Sequence, residues 1–190
     1  MSYIAALILF VIGSFIGLKF PDFDQTFRWY PVLLHRSILT HSFLAPLLFT
    51  CSVGALRKAA SAPVRWFAMG LCGATAVHLC FDLFVRAWRG YALLHLPFFG
   101  WTTPFLSQVC FVVSAFVCLI LAFRLLRNTT EFYVVFLGLI ISYGTCAARQ
   151  PYLSFGALVA LVVTGFLALL IARPSYKSDS DALIRKFLDK

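Results

Sequence analysis

The amino-acid sequence predicts an all-α protein, a polytopic transmembrane bundle of about six spans, and the evidence is its composition and its proline spacing. Of its 190 residues, 62% are hydrophobic and 12% are charged, and the mean hydropathy is +0.91. A soluble domain carries about 25% charged residues, so this chain has too few to cover a surface that faces water. We therefore expect the single domain that this length suggests to lie in a membrane.

Six apolar segments approach the roughly 20 residues that a helix needs to cross the hydrocarbon core. Prolines lie between or beside most of these segments, as expected at helix boundaries. Pro46 lies inside the second segment, where we expect it to kink the helix. Two glycines in the first segment, Gly13 and Gly17, predict a small-residue packing face. The predicted spans are Ser2–Leu18, Ile38–Leu56, Val64–Val85, Pro104–Leu126, Phe132–Ala148 and Tyr152–Ala172.

The tail, residues 175–190, differs in character from the transmembrane domain, residues 1–174. Four apolar residues of the tail would form one stripe of a short helix, with basic residues opposite, a pattern typical of a helix in the membrane interface. The alternative is that the tail binds a partner protein. The apolar stripe consists of Leu183, Ile184, Phe187 and Leu188.

The formal net charge of +9 does not indicate a nucleic-acid-binding protein, because the 16 Lys and Arg residues are spread over the ends of apolar segments and the tail. Such placement sets topology or contacts lipid headgroups. If the N-terminus is cytoplasmic, ten of the 16 face the cytoplasm and six face the other side. Five of the ten follow the last predicted span: Arg173, Lys177, Arg185, Lys186 and Lys190. This distribution predicts cytoplasmic termini.

Acidic residues are so scarce that their positions carry information. The motif PDFD, residues 21–24, follows the first predicted span; HRSILTHS, residues 35–42, begins the second; HLCFD, residues 78–82, ends the third. Because successive spans cross the membrane in opposite directions, all three motifs are expected on one membrane face. The groups that would meet there are Asp22, Asp24, His35, His41, His78 and Asp82.

Imidazole and carboxylate groups together are the ligands of zinc, manganese or iron. His78 and Asp82 are four residues apart and project from one side of a helix, and ionisable groups within a span indicate a functional site. The six groups could hold one or two divalent ions with an open position for water. Asp22 and His35 would complete a second ion or act as acid and base. The first-choice ligands are Asp24, His41, His78 and Asp82.

Each group taken alone has a simpler interpretation. His78 could be a hydrogen-bonded packing residue, and Asp22 and Asp24 could pair with Lys19 or Arg28. The metal hypothesis therefore depends on the convergence of all six groups. A further histidine, at position 95, lies on the same face but outside the motifs, and we expect it to be a packing residue.

The order PDFD, HRSILTHS, HLCFDLF and then LLHLPFFG, residues 93–100, resembles the YdjM-like family of predicted membrane-bound metal-dependent hydrolases. The resemblance covers roughly residues 1–100. It implies a helical protein of the bacterial inner membrane with its metal site at the six motif positions. It also implies a distant similarity to zinc-dependent phospholipase C and P1-type nucleases, which hydrolyse phosphoesters. The sequence His95-Leu96-Pro97-Phe98 departs from the family, whose members tend to have Trp before the Pro-Phe turn.

These observations together predict a metal-dependent hydrolase of a phosphoester in a lipid or lipid-linked substrate, with its site on the periplasmic face. Zinc is the expected cofactor, with manganese or iron as alternatives. Asp22, His35 and Arg36 are candidate catalytic residues. Arg86, Arg89 and Arg149 are candidates for binding the anionic substrate, although each could instead extend to lipid headgroups. The candidate arginines all lie at the ends of spans.

Two other functions use the same residues. A transporter or proton relay would need polar groups continuing across the bilayer, and apart from Arg124, near the end of the fourth span, the last three spans contain only neutral ones. A non-catalytic membrane scaffold would use the six groups for folding and would bind no stoichiometric metal.

Overall fold

The computed structural model describes residues 3–27, 30, 34–57, 60–87 and 90–172 and is an all-α bundle, which confirms the predicted fold class. Short 3₁₀ helices lie at Pro21–Phe27 and Pro151–Leu153. Two small antiparallel hairpins pair β1 (Arg86–Ala87) with β2 (Gly90–Tyr91), and β3 (His95–Leu96) with β4 (Gly100–Trp101). The α-helices are α1 (Tyr3–Lys19), α2 (Leu44–Ser52), α3 (Ala62–Asp82), α4 (Pro104–Arg124), α5 (Thr129–Arg149) and α6 (Ser154–Ala172).

Within the described ranges, four helical segments are long and apolar enough to cross a membrane: α3, α4, α5 and Pro151–Ala172, which contains α6. Helix α1 is apolar but shorter, with 17 residues. Large apolar side chains of α1, α5 and α6 are exposed on the outside of the bundle, as expected for surfaces that face lipid. The architecture is that of an integral membrane protein. The predicted C-terminal interfacial helix lies outside the described residues.

The second predicted span differs most from the structure. Its helix, α2, has nine residues, and residues 37–42 before it form turns. The expectation of a kink was also wrong, because Pro46 lies in the first turn of α2. A backbone N–H at that position would have no hydrogen-bond partner within the helix, so a proline there removes no helical hydrogen bond. Hydrogen bonds to Asp24 and His95, described below, hold residues 37–42 in a non-helical conformation.

Helix α3 is the centre of the bundle: nearly all of its residues are buried, and it packs against α1, α4, α5 and α6. Helix α1 approaches it closely because of the two glycines in its predicted packing face. A Cβ atom on Gly13 or Gly17 would collide with the backbone carbonyl of Phe67 or Leu71 in α3. The predicted small-residue face is therefore confirmed, and it places the C-terminal ends of α1 and α3 side by side.

The helix ends define two faces of the bundle. The C-terminal ends of α1, α3 and α5 line one polar pocket, and we call this side the site face. On the opposite face, at the N-terminal end of α3, Arg65 binds Glu131 of α5 through two nitrogens, at 3.0 and 2.6 Å. Arg65 also donates to the carbonyl oxygen of Leu125, at 2.6 Å. This buried ion pair joins α3 to the connection between α4 and α5.

Candidate metal centre

The three motifs meet at the site face, as alternation of the spans predicts. The 3₁₀ helix Pro21–Phe27 follows α1 and carries the two aspartates of the first motif. The turns at residues 35–42 carry two histidines, and the last turn of α3 carries the third histidine and the third aspartate. All six predicted groups are thereby linked through side-chain contacts of 3.9 Å or less.

Asp24 is buried and contacts four residues of the second motif. One of its oxygens lies 3.1 Å from Nδ1 of His35, and the other lies 3.1 Å from Nδ1 of His41. The second oxygen also accepts hydrogen bonds from the Thr40 hydroxyl, at 2.6 Å, and from the Ser37 backbone N–H, at 3.2 Å. Burial alone raises the pKa of this carboxyl group, but the hydrogen bonds outweigh it and hold the pKa well below its ordinary value. Asp24 is therefore an anion.

The partners Ser37 and Thr40 were not among the predicted site residues. The signal that could have identified them is their position inside the HRSILTHS motif, where short hydroxyl side chains next to histidines can satisfy a buried carboxylate. The hydroxyl group of Thr40 also lies 3.1 Å from Nδ1 of His41. Because this hydroxyl donates to Asp24, its lone pairs remain available to accept from the imidazole.

Hydrogen bonding assigns the tautomer of each histidine. The carbonyl oxygen of Leu18, 3.1 Å from Nδ1 of His78, can only accept, so this nitrogen carries a hydrogen. The Nδ1 atoms of His35 and His41 contact the anionic Asp24 and carry a hydrogen for the same reason. In a neutral imidazole the remaining nitrogen then has a lone pair. The three Nε2 atoms are therefore the ones free to bind a cation.

Two of these nitrogens converge on one carboxylate oxygen. Oδ2 of Asp82 lies 3.5 Å from Nε2 of His41 and 3.3 Å from Nε2 of His78. All three atoms are buried and have no hydrogen-bond partner among the described residues. With neutral imidazoles, three lone pairs point at one another without a proton or cation between them. Such an arrangement is unfavourable in a buried site unless a positive charge occupies its centre.

The spacing of these atoms fits a metal ion. Two ligands each about 2.0–2.1 Å from a tetrahedral zinc lie roughly 3.3–3.4 Å apart, close to both distances to Asp82. Among the described residues, two groups of side chains could hold an ion, each with ligand atoms within 4.8 Å of one another. They share His41. The groups are His41, His78 and Asp82, and Asp22, His35 and His41.

Asp24, predicted as a first-choice ligand, belongs to neither group. Both of its oxygens are occupied by hydrogen bonds from the second motif. It resembles the carboxylates that hold metal-bound histidines by their other ring nitrogen and thereby fix the ring orientation. The geometry therefore favours an orienting role for Asp24 over direct ligation. Sequence alone could not separate these roles, because both require a carboxylate close to histidines.

A polar pocket of about 200 Å³ lies directly beside these groups. Basic residues from three parts of the chain, Lys19, Arg36 and Arg149, line it together with Asp22 and apolar side chains of α1 and α3. Nε of Arg36 lies 3.9 Å from Oδ1 of Asp82, and Gln25 donates to Asp22 at 2.9 Å. The pocket therefore combines candidate metal ligands with cationic side chains that suit an anionic substrate.

The β3–β4 hairpin holds the backbone around Arg36. The N–H of His95 donates to the carbonyl oxygen of Arg36, at 2.8 Å, and the N–H of Ile38 donates to the carbonyl oxygen of His95, at 2.9 Å. Arg36 has a positive φ of 60°, which is unusual for a residue with a side chain. The imidazole of His95 is buried against Trp101. The backbone of His95 positions the second motif.

The remaining predicted substrate-binding residues differ in their placement. Arg149 lines the polar pocket at the C-terminal end of α5. Arg86 lies in β1, which begins four residues after the end of α3. Arg89 lies outside the described residues. The structure brings Arg149 to the candidate metal centre.

No protein-family model matches the chain, and no curated protein or solved structure matches it. The assignment to the YdjM-like family therefore stays a prediction from the motifs.

Proposed function

We propose that this protein is a membrane-embedded, metal-dependent hydrolase that cleaves a phosphoester in a lipid or lipid-linked substrate. The observation that carries the proposal is the convergence of His41 Nε2, His78 Nε2 and Asp82 Oδ2 without hydrogen bonds. Zinc is the ion that best suits two imidazoles and a carboxylate at this spacing. Asp22 and His35 would complete a second ion or transfer protons.

A divalent cation held by His41, His78 and Asp82 would lower the pKa of a water molecule and polarise a phosphoryl oxygen. Asp24 holds His35 and His41 by their Nδ1 atoms, so that Nε2 of each ring faces the site. If His35 is not a ligand, its Nε2 can accept a proton from water or return one to the leaving oxygen. The guanidinium groups of Arg36 and Arg149 can pair with phosphoryl oxygens and stabilise the charge that develops there.

The surroundings of the pocket support a lipid as the substrate. Phe15, Leu18 and Phe81 line it together with Lys19 and Arg149, so apolar and cationic surfaces meet at the ends of the membrane-spanning helices. An amphiphile with an anionic headgroup suits both surfaces. The distribution of Lys and Arg supports an orientation with the site face in the periplasm, in a bacterial inner membrane.

A proton relay receives less support. Between Arg65 and His78, α3 has a single buried polar residue, Thr75, whose hydroxyl donates to backbone carbonyl oxygens of Gly17 and Leu71. The two ionisable clusters of α3 are thus separated by about three helical turns of apolar core. Loss of proton flux in proteoliposomes on Asp82→Asn substitution would favour the relay.

Phosphate release from phosphatidic acid, and headgroup release from phosphatidylglycerol, test the proposal with protein purified in detergent. We expect turnover that a chelator abolishes and added zinc or manganese restores. The double variant His78→Ala/Asp82→Ala should lose it, whereas Thr75→Val, on the same helix and outside both metal groups, should retain it. Chelator-insensitive turnover, or full activity of the double variant, would contradict the proposal.

A further inference from the structure

A second, larger cavity of about 500 Å³ lies between α5 and α6, with α4 as its floor; we call it the α5–α6 cavity. Helix α6 packs against α4 and α3, whereas α5 packs mainly against α3. The two helices therefore diverge after their short connection and leave the cavity between them. Apart from the hydroxyl of Tyr143, its lining side chains are hydrocarbon. They include Phe132, Phe136, Ile140, Leu158, Val162 and Leu169.

The cavity begins beside the candidate metal centre. Tyr143 lines it, and its ring centroid lies 5.6 Å from that of Phe81, which lines the polar pocket. The hydroxyl of Tyr143 donates to the carbonyl oxygen of Ser154, at 3.0 Å, so its one polar atom is already paired. The contact between Phe81 and Tyr143 therefore joins the linings of the two cavities.

The cavity is deep relative to the bilayer. Tyr143 lies six residues before Arg149 at the site-face end of α5, which is about 9 Å along the helix. From Tyr143 the lining continues to Phe132, roughly another 16 Å at 1.5 Å per residue. One leaflet has a hydrocarbon depth of only about 15 Å. An occupant that starts at the site face must therefore extend past the middle of the membrane to fill the cavity.

From these dimensions we propose that the α5–α6 cavity binds one long hydrocarbon chain of the lipid phosphoester whose headgroup lies at the metal centre. The inference rests on the proposed function and adds chain length as a determinant of the substrate. A transmembrane helix of a second copy is the alternative occupant, and it would leave the photoadducts of the long probes described below outside the cavity. The charged tail, residues 175–190, would bury several ionic groups in an apolar space.

Gly165 provides a direct test. It lines the cavity, and a Cβ atom added there would meet no other atom within 4 Å. It lies eleven residues beyond Ser154, about 16 Å below the site face. Gly165→Leu should therefore fill the deep part of the cavity without moving the backbone. Gly144 in α5 is a matched control, because a Cβ there also meets no atom within 4 Å but the residue is exposed outside the cavity.

The experiment measures binding of lipid phosphates to the purified protein, using dihexanoyl phosphatidic acid, dioleoyl phosphatidic acid and undecaprenyl phosphate. A diazirine at the chain end of the long probes maps the contact. We expect Gly165→Leu to weaken binding of the two long-chain probes at least tenfold and to leave the dihexanoyl probe unchanged. Gly144→Leu should change neither. Photoadducts of the wild type should fall on cavity-lining residues of α5 and α6.

Equal effects of the two variants on the long probes would overturn the proposal, as would photoadducts outside the cavity or on the tail of the chain. Retained binding of the short probe by Gly165→Leu shows that this variant is folded. The binding readout needs no turnover. Long-chain binding in the cavity without phosphate release would contradict the hydrolase proposal alone, and release that is insensitive to Gly165→Leu would contradict the cavity proposal alone.

Discussion

Helix α3 has a buried cluster of ionisable groups at each end, and the two clusters differ in how completely their polar atoms are paired. On the opposite face, Glu131 accepts hydrogen bonds from two nitrogens of Arg65 and from the backbone N–H of Arg127. Counting partners among the described residues alone, Nε of Arg65 is the one buried side-chain atom of that pair without a hydrogen bond. By the same count, Nε2 of His41, Nε2 of His78 and Oδ2 of Asp82 at the site face have none.

This difference separates a structural role from a functional one. Arg65 and Glu131 hydrogen-bond to each other, so this ion pair needs no ligand, and we call it the closed cluster. We call His41, His78 and Asp82 the open cluster. Three buried lone pairs that converge leave a free-energy cost that only a proton or a cation removes. Burial and charge alone do not distinguish the clusters, because both are buried and both are ionic. The convergence of three unpaired atoms at the site face distinguishes them.

The largest effect on stability is expected from breaking the closed cluster. Glu131→Gln leaves Arg65 buried without a counter-charge, and we expect the free energy of unfolding to fall by about 3–5 kcal/mol. Denaturant titration of the protein in detergent micelles measures this. Replacing both partners, as Arg65→Met/Glu131→Leu, should recover most of the loss. If the single and double variants were equally unstable, the pair would not be a closed unit.

A smaller effect on the free energy of unfolding is expected at the open cluster, and this effect should depend on bound metal. Zinc at 100 times its Kd should raise the free energy of unfolding by about 2.7 kcal/mol, because the ion binds the folded state. The variant His78→Ala/Asp82→Ala should show no increase, while Glu131→Gln should keep it. A metal-induced increase in the double variant would place the ion outside the predicted cluster.

Much of the fold follows from sequence alone, since α3 to α6 appear where hydropathy predicts them and the glycines of α1 predict its close contact with α3. The short second helix does not follow, because hydropathy counts apolar side chains and cannot detect that residues 37–42 bond to Asp24 and His95. The ion pair of Arg65 and Glu131 was also missed. Its partners are 66 positions apart, and no local pattern connects them.

The convergence of the six site groups was predictable, because alternation of the spans places the three motifs on one face without any knowledge of side-chain geometry. Their individual roles were not. Whether Asp24 binds the ion or orients His35 and His41 depends on ångström-scale placement of the turns at residues 35–42, which are held by His95 in a hairpin that has no strong sequence signal.

The orienting role of Asp24 predicts an intermediate effect. Asp24→Asn keeps the shape but loses the charge that holds two imidazoles, so we expect metal affinity to fall about 10–100-fold. Competition titration with a chromogenic chelator measures the affinity. An affinity unchanged within a factor of two would contradict this role. A loss as complete as that of His78→Ala/Asp82→Ala would show that Asp24 is itself a ligand.

The smallest effect is expected at Thr40, which contributes one hydrogen bond to Asp24. Thr40→Val should lower the free energy of unfolding by about 1–3 kcal/mol, because it leaves a buried carboxylate with one donor fewer, and its effect on metal affinity should be weaker than that of Asp24→Asn. Thr40→Ser retains the hydroxyl and should behave like the wild type in both titrations. A loss in Thr40→Ser without one in Thr40→Val would indicate a packing effect of the methyl group in place of the hydrogen bond.

The metal content of the purified protein tests the central claim most directly. Elemental analysis of the wild type, purified without chelator, should give one or two equivalents of a divalent transition metal per chain. Zinc should be the most abundant of the metals found. His78→Ala/Asp82→Ala should contain less than a tenth of that amount, and Thr75→Val should match the wild type. Wild-type protein that stays free of metal, even after incubation with zinc and removal of the excess, would contradict the claim.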